Sequence, residues 1–89
     1  MKSETTEFSI NIPPELNENT RKLVISFAEA MAVKLYKSEK KYGYSDNWMQ
    51  DDWSDECRSE LIRHLQKGDP VDVANYCAFM AHHGWSTSE

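Results

Sequence analysis

The longest regular pattern of apolar positions runs from residue 16 to residue 35 and has the period of an α-helix. Eight positions fall within an arc of roughly 140° when each residue advances by 100°: Leu16, Thr20, Leu23, Val24, Phe27, Ala28, Met31 and Leu35. Proline is tolerated in a first helical turn, so Pro13 and Pro14 suit its beginning. Because Gly43 supplies a C-terminal stop, the pattern predicts a helix over about residues 14–42.

A shorter pattern with a period of two precedes this helix. Phe8, Ile10 and Ile12 alternate with polar residues, as in a strand with one buried face. No second strand-like segment follows, so the backbone of a lone strand lacks a partner in its own chain. The sequence therefore predicts a strand over residues 6–12 that pairs with the same strand of a second copy in a homodimer, after a flexible tail over residues 1–5.

Two further helices are predicted after the first. The second, about residues 53–67, begins near candidate caps at Asp51, Asp52 and Ser54. Between it and the third helix stands Gly68-Asp69-Pro70, which combines a helix stop, an N-cap and a proline at the first helical position. The third helix, residues 70–83, carries apolar residues around most of its circumference, so we expect it to be central.

The whole chain is therefore expected to be one mostly α domain of three helices with an N-terminal β-strand. Its 89 residues provide enough apolar material for only one core. We expect six side chains on the apolar helix faces to be buried: Phe27, Met31, Leu61, Leu65, Cys77 and Met80.

The charge and the cysteines of the chain indicate which classes of partner are disfavoured and in which cellular compartment the protein is expected. Fifteen acidic residues against ten basic ones give a formal charge of -5, which opposes general attraction to nucleic acid or an anionic membrane. No segment reaches the roughly 20 apolar residues that a membrane-spanning helix needs. Cys57 and Cys77 lie at apolar helix positions, as reduced thiols do. We therefore expect a location in the cytoplasm.

The sequence contains no complete catalytic or metal-binding motif, so no catalytic residue, metal ligand or cofactor is assigned. Cys57 with His64 and Cys77 with His82 lack the spacing that puts two ligands on one helix face. His64 is better interpreted as a half-buried histidine hydrogen-bonded to a neighbour. Seven acids could hold a magnesium ion for a nucleotide phosphate: Asp51, Asp52, Asp55, Glu56, Glu60, Asp69 and Asp72. Four of them, Asp51, Asp52, Asp69 and Asp72, occur at helix starts, where capping is a simpler role.

Aromatic and histidine side chains are the candidates for a binding surface. They lie around the ends of the predicted helices: Tyr42, Tyr44, Trp48, Trp53, His82, His83 and Trp85. Such residues anchor protein interfaces or stack on bases. The alternative is a structural role, in which the aromatic rings cover the end of the helical core.

Three segments between about residues 35 and 87 resemble a family of small proteins carried by phages and prophages: KYGYSDNW, DDWSDECRSEL and RHLQKGDPVDVANYCAFMAHHGWST. A similar segment accompanies phage proteins described as dATP/dGTP pyrophosphohydrolases. All-α pyrophosphohydrolases of the MazG kind bind magnesium through E-x-x-E and E-x-x-D pairs. This chain departs from that pattern, since it contains no E-x-x-D pair, and Glu29 and Glu39 of its first helix are widely spaced.

Residues 8–27 separately resemble the start of ribbon-helix-helix repressors, with a strand, P-x-E-L and a first helix. The outward strand residues Glu7, Ser9 and Asn11 are not the basic side chains that favour DNA binding. The expectation is thus a phage or prophage accessory protein of the host cytoplasm that binds a macromolecular partner without catalysis. The alternatives are a nucleotide pyrophosphohydrolase module and a DNA-binding regulator of the ribbon-helix-helix type.

Overall fold

The computed structural model describes residues 10–88 and is mostly helical. Helix α1 spans Glu18–Tyr42, α2 spans Ser54–Lys67 and α3 spans Pro70–His83, with a short 3-10 helix at Asn47–Met49 before α2. The expectation of three helices is confirmed. No helix among the described residues is long and apolar enough to cross a membrane.

Helix α1 begins four residues later than the sequence pattern predicts. Pro13 and Pro14 lie in a turn in which the Leu16 amide donates to the Pro13 carbonyl at 3.1 Å. The Asn17 side chain then caps the helix by accepting from two amides of the first turn, as a short polar side chain does well. The predicted strand over residues 6–12 and the tail over 1–5 lie mostly outside the described residues, and residues 10–12 form no strand.

The ends of all three helices follow local sequence signals. Gly43, Gly68 and Gly84 close α1, α2 and α3 with φ of 73°, 81° and 73°, a left-handed conformation that favours glycine. The Asp69 carboxylate accepts from the amides of residues 71 and 72, so its predicted role as the cap of α3 is confirmed. Helix α2 differs, because Trp53 occupies the cap position and makes no side-chain capping bond.

Helix α3 is central, as expected, since it packs against α1, α2 and the 3-10 helix. The best-buried apolar side chains lie between α2 and α3: Cys57, Leu61 and Met80 are 0%, 9% and 1% exposed. Around them pack five partly buried residues: Trp53, Val73, Tyr76, Phe79 and Trp85.

The predicted core is only partly correct. Leu61 and Met80 are buried and Met31 is partly buried, but Phe27, Leu65 and Cys77 are exposed. Helical periodicity shows which residues share a face, not whether another element covers that face. Helix α1 has 25 residues, roughly 37 Å of helix, while the 14 residues of α3 extend roughly 21 Å. Much of the apolar face of α1 therefore lacks cover from the other elements of residues 10–88.

An ionic contact fastens α1 to the start of α3. Lys34 Nζ lies 2.8 Å from Asp69 Oδ2 and 3.5 Å from Asp72 Oδ2. The hydrogen bond from Lys34 holds the pKa of Asp69 at about 2, below its ordinary 3.8, and the same bond raises the pKa of Lys34. The contact joins helices that are distant in sequence, so it helps to set their relative position.

We expect Asp69 to make the fold sensitive to acid. Because its pKa is lower in the folded chain, its stabilising effect is present above about pH 4 and is lost as the pH falls towards 2. Asp69→Asn keeps a capping side chain but removes the charge, so it should lower the melting temperature near neutrality. Below pH 4 the melting temperature of this variant should decrease less with pH than that of the wild type.

Asp55→Asn is the matched control, since Asp55 pairs with Arg58 while its own side chain is 100% exposed. Such a surface pair contributes little, and melting temperatures of this variant should follow the wild type at each pH. If the melting temperature of Asp69→Asn also equals that of the wild type at each pH down to 2, the contact with Lys34 does not stabilise the fold.

Candidate functional site

The carbonyl of Trp48 is the centre of a hydrogen-bonded group of aromatic side chains. It accepts from Trp53 Nε1–H at 3.2 Å and lies 2.7 Å from His83 Nε2. The second contact is a hydrogen bond when the His83 proton is on Nε2. The loop before α2 is in this way fixed to the last turn of α3.

Ring packing extends this arrangement into an aromatic cluster, formed by Trp48, Trp53, Phe79, His83 and Trp85. Trp48 stacks on Phe79 with centroids 5.7 Å apart, and His83 stacks on Trp85 at 4.1 Å. Trp53 meets both Phe79 and Trp85 at 5.7 Å. Trp53 and Trp85 thus have the structural role of covering the core, and His83 packs on the Trp85 ring.

The other predicted binding residues are more accessible. Tyr42 and Tyr44, just after the end of α1, are 57% and 52% exposed, with ring centroids 5.3 Å apart. His82 is exposed and meets the Trp48 ring edge-on at 4.9 Å. The seven candidates thus form two groups, an exposed tyrosine pair and side chains in or beside the aromatic cluster.

A broad groove of about 890 Å³ opens beside the aromatic cluster, bounded by α1, the loop before α2, α2 and α3. We call it the acidic groove, because five carboxylates line it: Glu39, Asp52, Glu56, Glu60 and Asp72. Trp48, Trp53, Tyr76 and Phe79 give it an aromatic wall, and no lysine or arginine of the described residues lines it. Such a surface suits a cation with apolar or planar parts.

Asn75 of α3 belongs to the wall of the acidic groove and is only 4% exposed. Its Oδ1 is buried and has no hydrogen-bond partner among the described residues. Beside it, burial raises the pKa of Tyr76 to about 12, and the charge of Glu60 adds to the effect. The Tyr76 phenol is therefore neutral near pH 7.

His64 links α2 to the polar contacts at the start of α3. Its side chain is buried, Nδ1 lies 2.8 Å from the Glu60 carbonyl, and Nε2 lies 3.7 Å from Asp72 Oδ2. The expected hydrogen bond to a neighbour is therefore present. That carbonyl accepts from Nδ1–H, and Nε2, on the other side of the ring, faces the Asp72 carboxylate.

The two cysteines differ in their surroundings. Cys57 is buried, and burial, with a smaller contribution from Cys77, raises the pKa of the Cys57 thiol to about 11. Cys77 is exposed, contrary to its expected place in the core. Among the described residues, no three side chains of the His, Cys, Asp and Glu types are grouped as metal ligands.

Comparison with known proteins adds no assignment. No family model, curated protein or solved structure matches the chain.

Sequence reasoning named Asp52, Glu56, Glu60 and Asp72 as possible magnesium ligands, but it did not place them in one groove, and it missed Asn75. Asn75 is one polar residue in the apolar sequence of α3, which is a weak signal for a buried polar side chain. The carboxylates come from α1, the following loop, α2 and α3, and they meet only after the helices have packed.

Proposed function

We propose that the chain is an accessory protein of a phage or prophage that acts by binding a protein partner and not by catalysis. The observation that carries the proposal is the acidic groove, which combines an anionic rim with aromatic side chains. Aromatic residues frequently dominate the binding energy of protein interfaces. The resemblance of about residues 35–87 to small phage and prophage proteins supports the biological setting.

The charge of the groove favours a protein over a nucleic acid. Carboxylates repel backbone phosphates, whereas they attract the lysine and arginine side chains of a protein and speed its association. The formal charge of -5 acts in the same direction. A DNA-binding role would predict affinity that falls steeply with salt, so absence of a gel shift at low salt would exclude that role.

The proposal places the protein in the bacterial cytoplasm as a homodimer paired through residues 6–12. Ile10 is 59% exposed in the single chain, and α1 leaves apolar side chains such as Leu23 and Phe27 exposed. A two-stranded ribbon needs an apolar support of this kind. In the reducing cytoplasm the thiols of Cys57 and Cys77 would persist, as both are unpaired in the structure.

We expect Ile10→Pro to shift the protein towards monomer. Proline removes a backbone donor and distorts a strand ladder, while α2 and α3 should remain folded because residue 10 lies outside the helices. Light scattering coupled to gel filtration measures the mass, and circular dichroism checks the helices. Ile10→Val is the control and should remain a dimer. Wild-type protein that is already monomeric at micromolar concentration would refute the ribbon.

Affinity capture with chemical cross-linking tests the proposed binding function. The tagged protein is expressed in infected or lysogenic cells, and cross-linked peptides are identified by mass spectrometry. We expect one protein to be enriched over an unrelated tagged protein of similar charge, with cross-links to Lys34, whose Nζ lies 3.5 Å from Asp72 of the groove. Recovery of chaperones alone would contradict the proposal.

A further inference from the structure

Asn75 Oδ1 is a hydrogen-bond acceptor that the fold leaves unused. The residue is 4% exposed, lies in the wall of the acidic groove, and has no partner for this oxygen among the described residues. Burying an acceptor without a donor costs free energy, so such an atom requires an explanation. A donor supplied by a bound ligand would provide one.

The carboxylates of the groove fall into two classes. Glu60 pairs with Arg63 at 2.6 Å, and Asp72 lies near Lys34 and His64. By contrast, the carboxylates of Glu39, Asp52 and Glu56 form no ion pair within residues 10–88. These three are exposed and line the same groove, so negative charge is available there for a ligand.

Aromatic side chains stand beside these acceptors. Trp48, Tyr76 and Phe79 line the groove, and the Phe79 ring stacks on Trp48 at 5.7 Å and meets Tyr76 edge-on at 5.9 Å. A ligand that fits all three features must therefore carry positive charge, several hydrogen-bond donors and a surface that packs on aromatic rings.

We propose that the acidic groove binds an arginine side chain presented by the protein partner. The planar guanidinium group would pack on the aromatic wall and direct its donors to the carboxylates of the rim, and a small rotation of the Asn75 side chain would bring its buried Oδ1 within reach of one of these donors. This assignment rests on the function proposed above and names the chemistry by which the partner is recognised.

Arginine fits the groove better than other cations do. Its guanidinium group has five donors in one plane and stacks on aromatic rings, whereas the ammonium group of lysine is compact and strongly hydrated. A nucleotide would bring phosphates towards the carboxylates of Glu39, Asp52 and Glu56. A polyamine shares the positive charge but lacks the planar head, so it separates simple charge attraction from recognition of arginine.

Nuclear magnetic resonance of the full-length, ¹⁵N-labelled chain tests the site. The probes are acetyl-Ala-Arg-Ala-amide, the same peptide with lysine, the same peptide with glutamate, and spermidine. We expect the arginine peptide to shift the side-chain resonances of Asn75, Trp48 and Trp53 with saturation, at a Kd on the order of 1 mM. Lysine should bind several-fold more weakly, and glutamate should not bind.

Paired substitutions distinguish the groove from general surface charge. Glu39→Gln with Glu56→Gln removes one carboxylate of α1 and one of α2 from the rim and should weaken arginine binding about ten-fold. Glu29→Gln with Asp55→Asn removes the same charge from the same helices outside the groove and should leave the Kd within about two-fold.

Three results would overturn the assignment: no shift of the Asn75 amide at the highest soluble concentration of the arginine peptide, equal loss of affinity in the two paired variants, or equal affinity for spermidine. Failure here is distinguishable from failure of the proposed function. Affinity capture would still identify a partner, and its binding would be unchanged by Glu39→Gln with Glu56→Gln.

Discussion

Replacing Met80 with alanine is expected to lower the free energy of unfolding by about 2–5 kcal/mol. Met80 is 1% exposed and packs in the core with Cys57 and Leu61. Truncation removes buried methylene and thioether groups and leaves a cavity in a core with few fully buried side chains. Domains of this size have roughly 4–13 kcal/mol of stability in total, so the loss should be a large part of it.

Urea unfolding followed by tryptophan fluorescence measures this effect, because Trp53 and Trp85 pack against the same core. Leu65→Ala is the control: the sequence pattern places Leu65 in the core, but the structure leaves it 60% exposed. Leu65→Ala should lower the free energy of unfolding by less than about 1 kcal/mol. A Leu65→Ala variant that is less stable than Met80→Ala would show that the core has been misplaced.

The second large effect is expected at Trp53, whose replacement by alanine should lower the free energy of unfolding by about 3 kcal/mol. Loss of a tryptophan side chain typically costs 3–5 kcal/mol, and the lower end applies because Trp53 is only partly buried. The change removes ring contacts with Phe79 and Trp85 and the hydrogen bond to the Trp48 carbonyl.

Trp53→Phe separates ring packing from the hydrogen bond. Phenylalanine keeps an aromatic ring but lacks the indole donor. Loss of this hydrogen bond should lower the free energy of unfolding by about 0.5–1.5 kcal/mol. Tyr44→Ala is the exposed aromatic control, since Tyr44 is 52% exposed, and should change stability by less than about 1 kcal/mol. If Trp53→Ala is no more damaging than Tyr44→Ala, the aromatic cluster does not support the core.

Local signals made α3 and the three helix ends predictable from sequence. Asp69-Pro70 fixes the start of α3 by capping and by the allowed position of proline, and both effects act within one helical turn. The start of α1 was misplaced because two signals compete there. Proline is allowed at the first helical position, but Asn17 provides the cap and leaves Pro13 and Pro14 in the preceding turn.

The burial of individual side chains and the acidic groove depend on packing between elements that are distant in sequence. Neither could therefore be predicted from local sequence patterns. Phe27 and Leu65 lie on apolar helix faces, yet each is exposed because no neighbouring element of the described chain covers it. Trp48 was a candidate for binding or for capping the core, and the structure places it in both the cluster and the groove wall. The meeting of Asn75 with carboxylates of α1, the loop before α2, α2 and α3 in one groove has no sequence signature.

Pyrophosphate release from dATP and dGTP with magnesium tests the central claim, that this protein binds a protein partner and does not process nucleotides. We expect no release above that of a heat-unfolded sample, with either nucleotide, for wild type and for Glu39→Gln with Glu56→Gln. Magnesium-dependent release by the wild type that is lost in this paired variant would contradict the proposed function and assign the acidic groove to nucleotide hydrolysis.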